Sequence, residues 1–114
     1  MSPKKDTLSG YKAMWMVAMF DLPVVTKDEK RNYTRFRKRL QNEGFMRMQY
    51  SVYISFCTGE DEAKNLRKRV RAYLPPDGEV RLITITDRQF GKMEVYWERK
   101  RESPEKPPQQ LMLF

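Results

Sequence analysis

A single aspartate at the end of a long apolar run is the residue of this chain best placed for chemistry. Asp21 follows the seven apolar residues Met14–Phe20 and precedes Leu22 and Pro23. Such a run is typical of a strand buried on both faces, and Pro23 ends it because proline cannot donate to a sheet ladder. An acid at the tip of a central strand is rigidly held and reaches solvent, so Asp21 is a candidate catalytic residue and metal ligand. The alternative is that Asp21 only caps a turn.

The absence of histidine limits the chemistry further. The chain has no histidine and one cysteine, Cys57, which excludes imidazole zinc sites, histidine general bases and Cys–His catalysis. Any catalysis must use carboxylates, hydroxyls or basic side chains, and the fitting cofactor is Mg²⁺ or another hard divalent ion. Cys57 is interpreted as a buried small residue, and a lone cysteine suits a reducing cytoplasm.

The charge balance favours a polyanionic partner. Lys and Arg total 23 against 15 acidic residues, which gives the 114-residue chain a net charge of +8. Nucleic acid is the first expectation and an anionic membrane surface the second. The apolar run at 14–20 is too short to span a bilayer and too deep in the chain for a signal peptide. We therefore expect a cytoplasmic protein with no membrane segment.

Periodicity predicts a small α+β domain. Thr26 and Glu29 fit a capping box, and Tyr33, Phe36 and Leu40 then recur at helical spacing. The predicted elements after this helix are strands at 45–49 and 50–57, a helix between 59 and 75, a strand at 80–86, a loop at 87–91 and a strand at 92–97. The order β-α-β-β-α-β predicts a ferredoxin-like sandwich with an extra C-terminal strand, in which the first strand is central.

The chain divides into three parts by composition. Residues 1–12 are interpreted as a flexible arm, 13–98 as the ferredoxin-like domain, and 99–114 as a charged, proline-containing linker with an apolar tail. Four consecutive apolar residues after a polar linker favour a docking peptide over a frayed end. These residues are Leu111, Met112, Leu113 and Phe114.

Basic residues are concentrated in the two helices. Seven Lys and Arg lie between Lys27 and Arg39, and more lie between Lys64 and Arg71. They either form solvated helix faces or line a phosphate-binding surface, and the net charge favours the second interpretation. Binding to the sugar–phosphate backbone of a nucleic acid is favoured over recognition of its bases. The candidate phosphate contacts are Lys27, Lys30, Arg31, Arg35 and Arg88.

Six short motifs follow one another along most of the chain. They are Phe20-Asp21-Leu22-Pro23, Tyr33-Thr34-Arg35-Phe36-Arg37-Lys38, Glu43-Gly44-Phe45, Gln49-Tyr50-Ser51-Val52-Tyr53, Leu74-Pro75-Pro76-Asp77-Gly78 and Ile83-Thr84-Ile85-Thr86-Asp87-Arg88-Gln89-Phe90. Together they resemble the CRISPR-associated protein 2 family, the small partner in the CRISPR spacer-acquisition complex. The last motif and the apolar tail are most similar to members from type II systems.

The resemblance implies a homodimer in which the final strand of each chain adds to the sheet of its partner. It also implies an assembly in which two dimers of the CRISPR-associated integrase flank this dimer, which binds prespacer duplex DNA as a central scaffold. The apolar tail is then expected to dock on a partner, and the type II effector nuclease is a further expected partner.

The same resemblance implies an alternative, enzymatic function. Many family members are described as metal-dependent endonucleases that act on single-stranded RNA or double-stranded DNA, and the aspartate matching Asp21 is their proposed metal ligand. One carboxylate in each chain is too few for a metal site, so this function requires the two Asp21 side chains of a dimer. A ribonuclease toxin of related fold is a third, weaker possibility. We expect any nuclease activity to be dispensable for spacer integration.

Overall fold

The computed structural model describes residues 13–108, so the predicted arm at 1–12 and the tail at 111–114 lie outside the described residues. The elements are β1 (Met14–Asp21), α1 (Lys27–Asn42), β2 (Met46–Gln49), β3 (Val52–Cys57), α2 (Glu60–Arg71), β4 (Glu79–Thr86), α3 (Asp87–Gly91), β5 (Val95–Trp97) and β6 (Lys100–Glu102). None of the described helices is long and apolar enough to cross a membrane.

The first four strands form one antiparallel sheet in the order β2-β3-β1-β4. The predicted ferredoxin-like fold and the central position of β1 are therefore confirmed. β1 is buried over most of its length because both of its edges are paired, the core with the helices covers one face, and a smaller apolar cluster that includes Phe90 covers part of the other. This arrangement leaves Asp21 at the exposed end of an interior strand of the sheet.

The two faces of the sheet differ. On one face, side chains of β1 pack with the two long helices, forming a core that includes Met16, Ala18, Phe20, Phe36, Leu40, Leu66 and Val70. We call the other side the open face. Because neighbours in register share a face, its side chains are Trp15, Val17, Met19 and Asp21 of β1, Val52, Ile54 and Phe56 of β3, and Glu79, Arg81, Ile83 and Ile85 of β4.

The first helix begins as the sequence predicts. Thr26 Oγ1 accepts a hydrogen bond from the Glu29 amide at 3.1 Å, and Glu29 Oε1 accepts one from the Thr26 amide at 2.9 Å. The hydrogen bond from the Thr26 amide holds the pKa of the Glu29 carboxyl below its usual value. Gly44 follows the helix at φ +101°, a backbone conformation that glycine adopts without strain.

The expectation of a loop at 87–91 is wrong, since these residues form α3. Thr86 and Gln89 make a second capping box that starts this helix. α3 places Phe90 against Trp15 with the ring centroids 4.3 Å apart, and Trp15 Nε1 donates to Asp87 Oδ1 at 2.7 Å. The short helix therefore covers one end of the open face.

The C-terminal strand is shorter than predicted and has a partner that the sequence did not indicate. The strand spans Val95–Trp97 instead of 92–97, and it pairs with Lys100–Glu102, within the segment interpreted as a linker. Glu98 and Arg99 connect the strands at φ values of 49° and 71°, the left-handed backbone that a tight hairpin requires. The two strands form a separate two-stranded sheet.

Candidate nucleic-acid interface

Asp21 is exposed and its backbone is fixed by three neighbouring segments. The amide of Phe20 donates to the carbonyl of Ser51 at 3.0 Å, and Asp21 itself pairs with Glu79 of the neighbouring strand β4. Gly78 approaches so closely that a Cβ atom there would lie 2.6 Å from the carbonyl oxygen of Asp21. The carboxylate therefore projects from a rigid backbone on the open face.

A second acid that the sequence analysis missed lies opposite Asp21. Glu79 occupies the same register position on β4, but its carboxylate binds the guanidinium of Arg81 at 3.1 and 3.3 Å. The hydrogen bond from Arg81 lowers the pKa of Glu79. The sequence indicated this neighbour only weakly. β4 was predicted to begin one residue later, at Val80, so Glu79 lay just outside the predicted strand.

These donors do not complete a metal site within one chain. Among residues 13–108, no three acidic or cysteine side chains come close enough together to hold an ion. Mg²⁺ prefers octahedral oxygen coordination, and the free carboxylate of Asp21 is a single ligand while Arg81 engages Glu79. Mg²⁺ at Asp21 would therefore need further oxygen ligands from outside this group of side chains, such as water, a nucleic-acid phosphate or a second chain.

Basic side chains form a continuous surface on α1. They recur at every turn, about 6 Å apart along the helix axis, because residues four apart lie on one side of a helix. We call this surface the basic face, and its residues are Lys30, Arg31, Thr34, Arg35, Lys38 and Arg39. It is broad and shallow, as a surface for an extended polyanion must be.

Most charges of the basic face are uncompensated. Arg31 binds Asp28 at 3.0 Å, and both side chains are well exposed. Within the described part of the chain, no ion pair involves Lys30, Arg35, Lys38 or Arg39. Four cations on one helix face therefore remain available for phosphate groups.

The predicted phosphate contacts are only partly brought together. Lys30, Arg31 and Arg35 share the basic face, and Lys27 lies in the first turn of the same helix. Arg88 lies on α3, at the opposite end of β1 from Asp21, since Thr86 pairs with Met14. Thr34 also lines the face but was not predicted to do so. Lys38 and Arg39 were expected on the basic side of this helix but were not selected as phosphate contacts.

The second helix offers fewer free cations. Arg69 binds Glu43 at 2.8 Å, and Arg67 donates to the hydroxyl of Thr84 at 3.3 Å. Three acids, Glu60–Glu62, occupy the first turn of α2. The structure therefore favours α1 over α2 as the phosphate-binding helix.

Cys57 is unsuited to nucleophilic chemistry. Its side chain is fully buried, and burial, followed by the nearby charge of Glu62, raises the pKa of the thiol to about 11. A thiol with this pKa carries very little thiolate near neutral pH. The interpretation of Cys57 as a buried small residue is confirmed.

Comparisons with known proteins agree with the architecture. The family model of CRISPR associated protein Cas2 matches residues 14–93. A protein of Parvibaculum lavamentivorans named CRISPR-associated endoribonuclease Cas2 is 48% identical over 89% of this chain and 100% of its own length. Proteins of the same name from Flavobacterium psychrophilum and Paracidovorax avenae are 41% and 42% identical, each over 94% of this chain and over 93% and 99% of their own lengths. The chain belongs to the Cas2 family.

Proposed function

We propose that this chain acts in CRISPR adaptation as a homodimeric scaffold, which binds prespacer duplex DNA and bridges two dimers of the integrase. The observation that supports this function best is the basic face, with four cations free of ion pairs among residues 13–108. Lysines and arginines on an exposed helix neutralise phosphates without reading bases. The protein would act where prespacers occur, in the prokaryotic cytoplasm.

The DNA-binding part of this proposal is tested by charge reversal. The double variant Arg31→Glu, Arg35→Glu should bind two duplexes of unrelated sequence more weakly, and by the same factor for both. A loss restricted to one sequence would contradict backbone binding. An unchanged affinity for both duplexes would place the interface elsewhere.

The open face supports the proposed homodimer. Ile83 is 48% exposed there and continues the apolar row of Ile54 and Val17 to the edge of the sheet, so a second chain that packed on this face would bury it. β4 is an edge strand, and the β5–β6 hairpin is too short to be stable by itself. Addition of β5 to the β4 edge of a second chain would stabilise both elements.

A substitution on this face tests the dimer. Ile83→Glu should convert the dimer to a monomer of 13.8 kDa in light scattering, because a charge would be buried at the interface. The matched control is Val25→Glu, since Val25 is 85% exposed in the segment before α1 and lies off the open face. A dimer that survives Ile83→Glu would contradict this interface.

The integrase is the proposed partner of the C-terminal tail. Deletion of residues 111–114 should leave the homodimer intact and weaken capture of the integrase, because four apolar side chains would be lost. The effector nuclease of a type II system is a further proposed partner and can be tested with the same deletion. Unchanged capture of both proteins would contradict a docking role.

A metal-dependent endonuclease is the second candidate function. Two observations favour it: the relatives are named endoribonucleases, and Asp21 is an exposed acid on the open face. A dimer formed through this face would supply the second Asp21 that one chain lacks. Mg²⁺ bound there would act as a Lewis acid on a phosphodiester of RNA or DNA. This activity is expected to be dispensable for integration.

A further inference from the structure

A groove that the basic face does not explain lies beside it. It has a volume of about 210 Å³ and lies between α1 and the segment that follows α2. Its walls are Asn32, Arg35, Phe36 and Arg39 of α1 and residues 72–76. We call it the 72–76 groove.

One wall of this groove is aromatic and apolar. The rings of Phe36 and Tyr73 have centroids 5.9 Å apart, and Leu74 is 45% exposed beside two prolines. Exposed leucine and proline side chains next to an aromatic ring form a surface on which a flat, apolar-faced group can stack. The groove is smaller than the roughly 300–1,000 Å³ pockets that enclose drug-sized molecules, so its occupant is small.

Polar groups lie at the same place. The guanidinium of Arg39 lies over the Tyr73 ring at 4.7 Å, which fixes a positive charge at the wall. The hydroxyl of Tyr73 is buried and has no hydrogen-bond partner in the part of the chain that the structure describes. Asn32 adds an amide that can donate and accept.

The groove and the basic face share two residues. Arg35 and Arg39 line both, so a phosphate chain bound on the basic face passes the mouth of the groove. A stacking wall, an amide and two shared cations match a nucleobase, its hydrogen-bonding edge and its phosphate. An apolar protein side chain would use the wall but would bring no anion to Arg35 and Arg39.

We propose that the 72–76 groove binds one unpaired nucleotide, with the base in the groove and its phosphate at Arg35 and Arg39. The proposal rests on the proposed function in that the basic face holds the rest of the nucleic acid. It adds a subsite that backbone binding does not require. The same chemistry is present in a free mononucleotide and in a nucleotide displaced from a duplex.

The experiment compares a fully paired DNA duplex with a duplex that carries one central bulged adenosine. The wild-type protein should bind the bulged duplex at least about fivefold more tightly, since one stacked base contributes that much. The double variant Asn32→Ala, Leu74→Ala should lose this gain and keep its affinity for the paired duplex, because no charge changes. The matched control is Asn65→Ala with Val25→Ala, an exposed amide and an exposed apolar side chain outside both the groove and the basic face, which should keep the gain.

Two further ligands separate the possible sources of the nucleotide. A bulge with an abasic site should give no gain, because it lacks the base. Deoxyadenosine monophosphate is also titrated alone into the protein in a calorimeter. If the wild-type protein binds it and the double variant does not, the groove binds free nucleotides as well. If only the bulged duplex shows the gain, the groove binds a nucleotide only when it is part of a nucleic-acid strand.

The outcomes distinguish the groove from the proposed function. If the protein binds the paired duplex, but its binding of the bulged duplex and of the mononucleotide does not depend on Asn32 and Leu74, the nucleotide proposal is overturned and scaffold binding stands. If the protein binds no duplex but binds the mononucleotide, and the double variant loses that binding, the groove proposal stands and the scaffold proposal fails. An equal gain from the abasic bulge would also overturn the groove proposal, as would a gain that the double variant retains.

Discussion

Removing two lysines from the basic face should halve the salt dependence of DNA binding. Lys30 and Lys38 are exposed, lie on one side of α1 about 12 Å apart along its axis, and have no ion-pair partner among the described residues. Neither lines the 72–76 groove. The double variant Lys30→Gln, Lys38→Gln therefore removes two phosphate contacts without disturbing a network.

The size of the effect follows from counterion release. Four free cations that each contact a phosphate give a slope of about −3.6 in a plot of log affinity against log salt concentration. Affinity should then fall about 150-fold between 50 and 200 mM salt for the wild type, and about 12-fold for the variant. These values hold for one protomer on the duplex. If both protomers of a dimer bind, each slope doubles and the ratio of the two slopes is unchanged.

Fluorescence anisotropy with a labelled duplex at several KCl concentrations measures these slopes. The matched control, Lys64→Gln with Lys68→Gln on α2, removes the same net charge from a different helix and should leave the slope unchanged. A slope that stays at the wild-type value in the Lys30 and Lys38 variant would refute the assignment of the basic face. An equal reduction of the slope in the variant and in the control would show that net charge matters and position does not, which would also refute it.

Three further predictions concern Asp21, the turn beside it and the buried thiol. Asp21→Ala should abolish metal-dependent cleavage of RNA or DNA in a gel assay while the duplex affinity stays unchanged. Residual metal-dependent cleavage would contradict its role as a ligand. Gly78→Ala should lower the free energy of unfolding by about 2–3 kcal/mol in urea titrations, since φ is +87° and the new Cβ meets Asp21. Gly91→Ala, with open space around the Cβ, should have little effect. Iodoacetamide should modify Cys57 at pH 8 only after unfolding, because burial raises its pKa to about 11.

The sequence predicts those parts of the fold in which local signals and burial agree. The apolar run of β1 and the Thr26 capping box each indicate one structure, and the structure confirms both. The short helix α3 was missed because five residues are too few for an apolar stripe, although its capping box was visible. β6 was missed because its three exposed residues, Lys100–Glu102, show no alternation of apolar and polar side chains.

The candidate site is harder to predict because it depends on distant pairings. Asp21 could be identified from its place at the end of the apolar run, but Glu79 became its neighbour only through the register of β1 and β4. The pairing of Arg81 with Glu79 and of Arg31 with Asp28 likewise decides which charges are free, and composition gives no information on it. The basic face itself follows from helical spacing, which explains why part of it was predicted.

Prespacer integration, reconstituted with the cognate integrase, tests the central claim most directly. The account predicts that Asp21→Ala supports integration at the wild-type level, whereas the Lys30 and Lys38 variant loses integration in step with its DNA affinity. Loss of integration by Asp21→Ala in a complex that still assembles and binds DNA would contradict the scaffold function and would place the chemistry of Asp21 within the reaction.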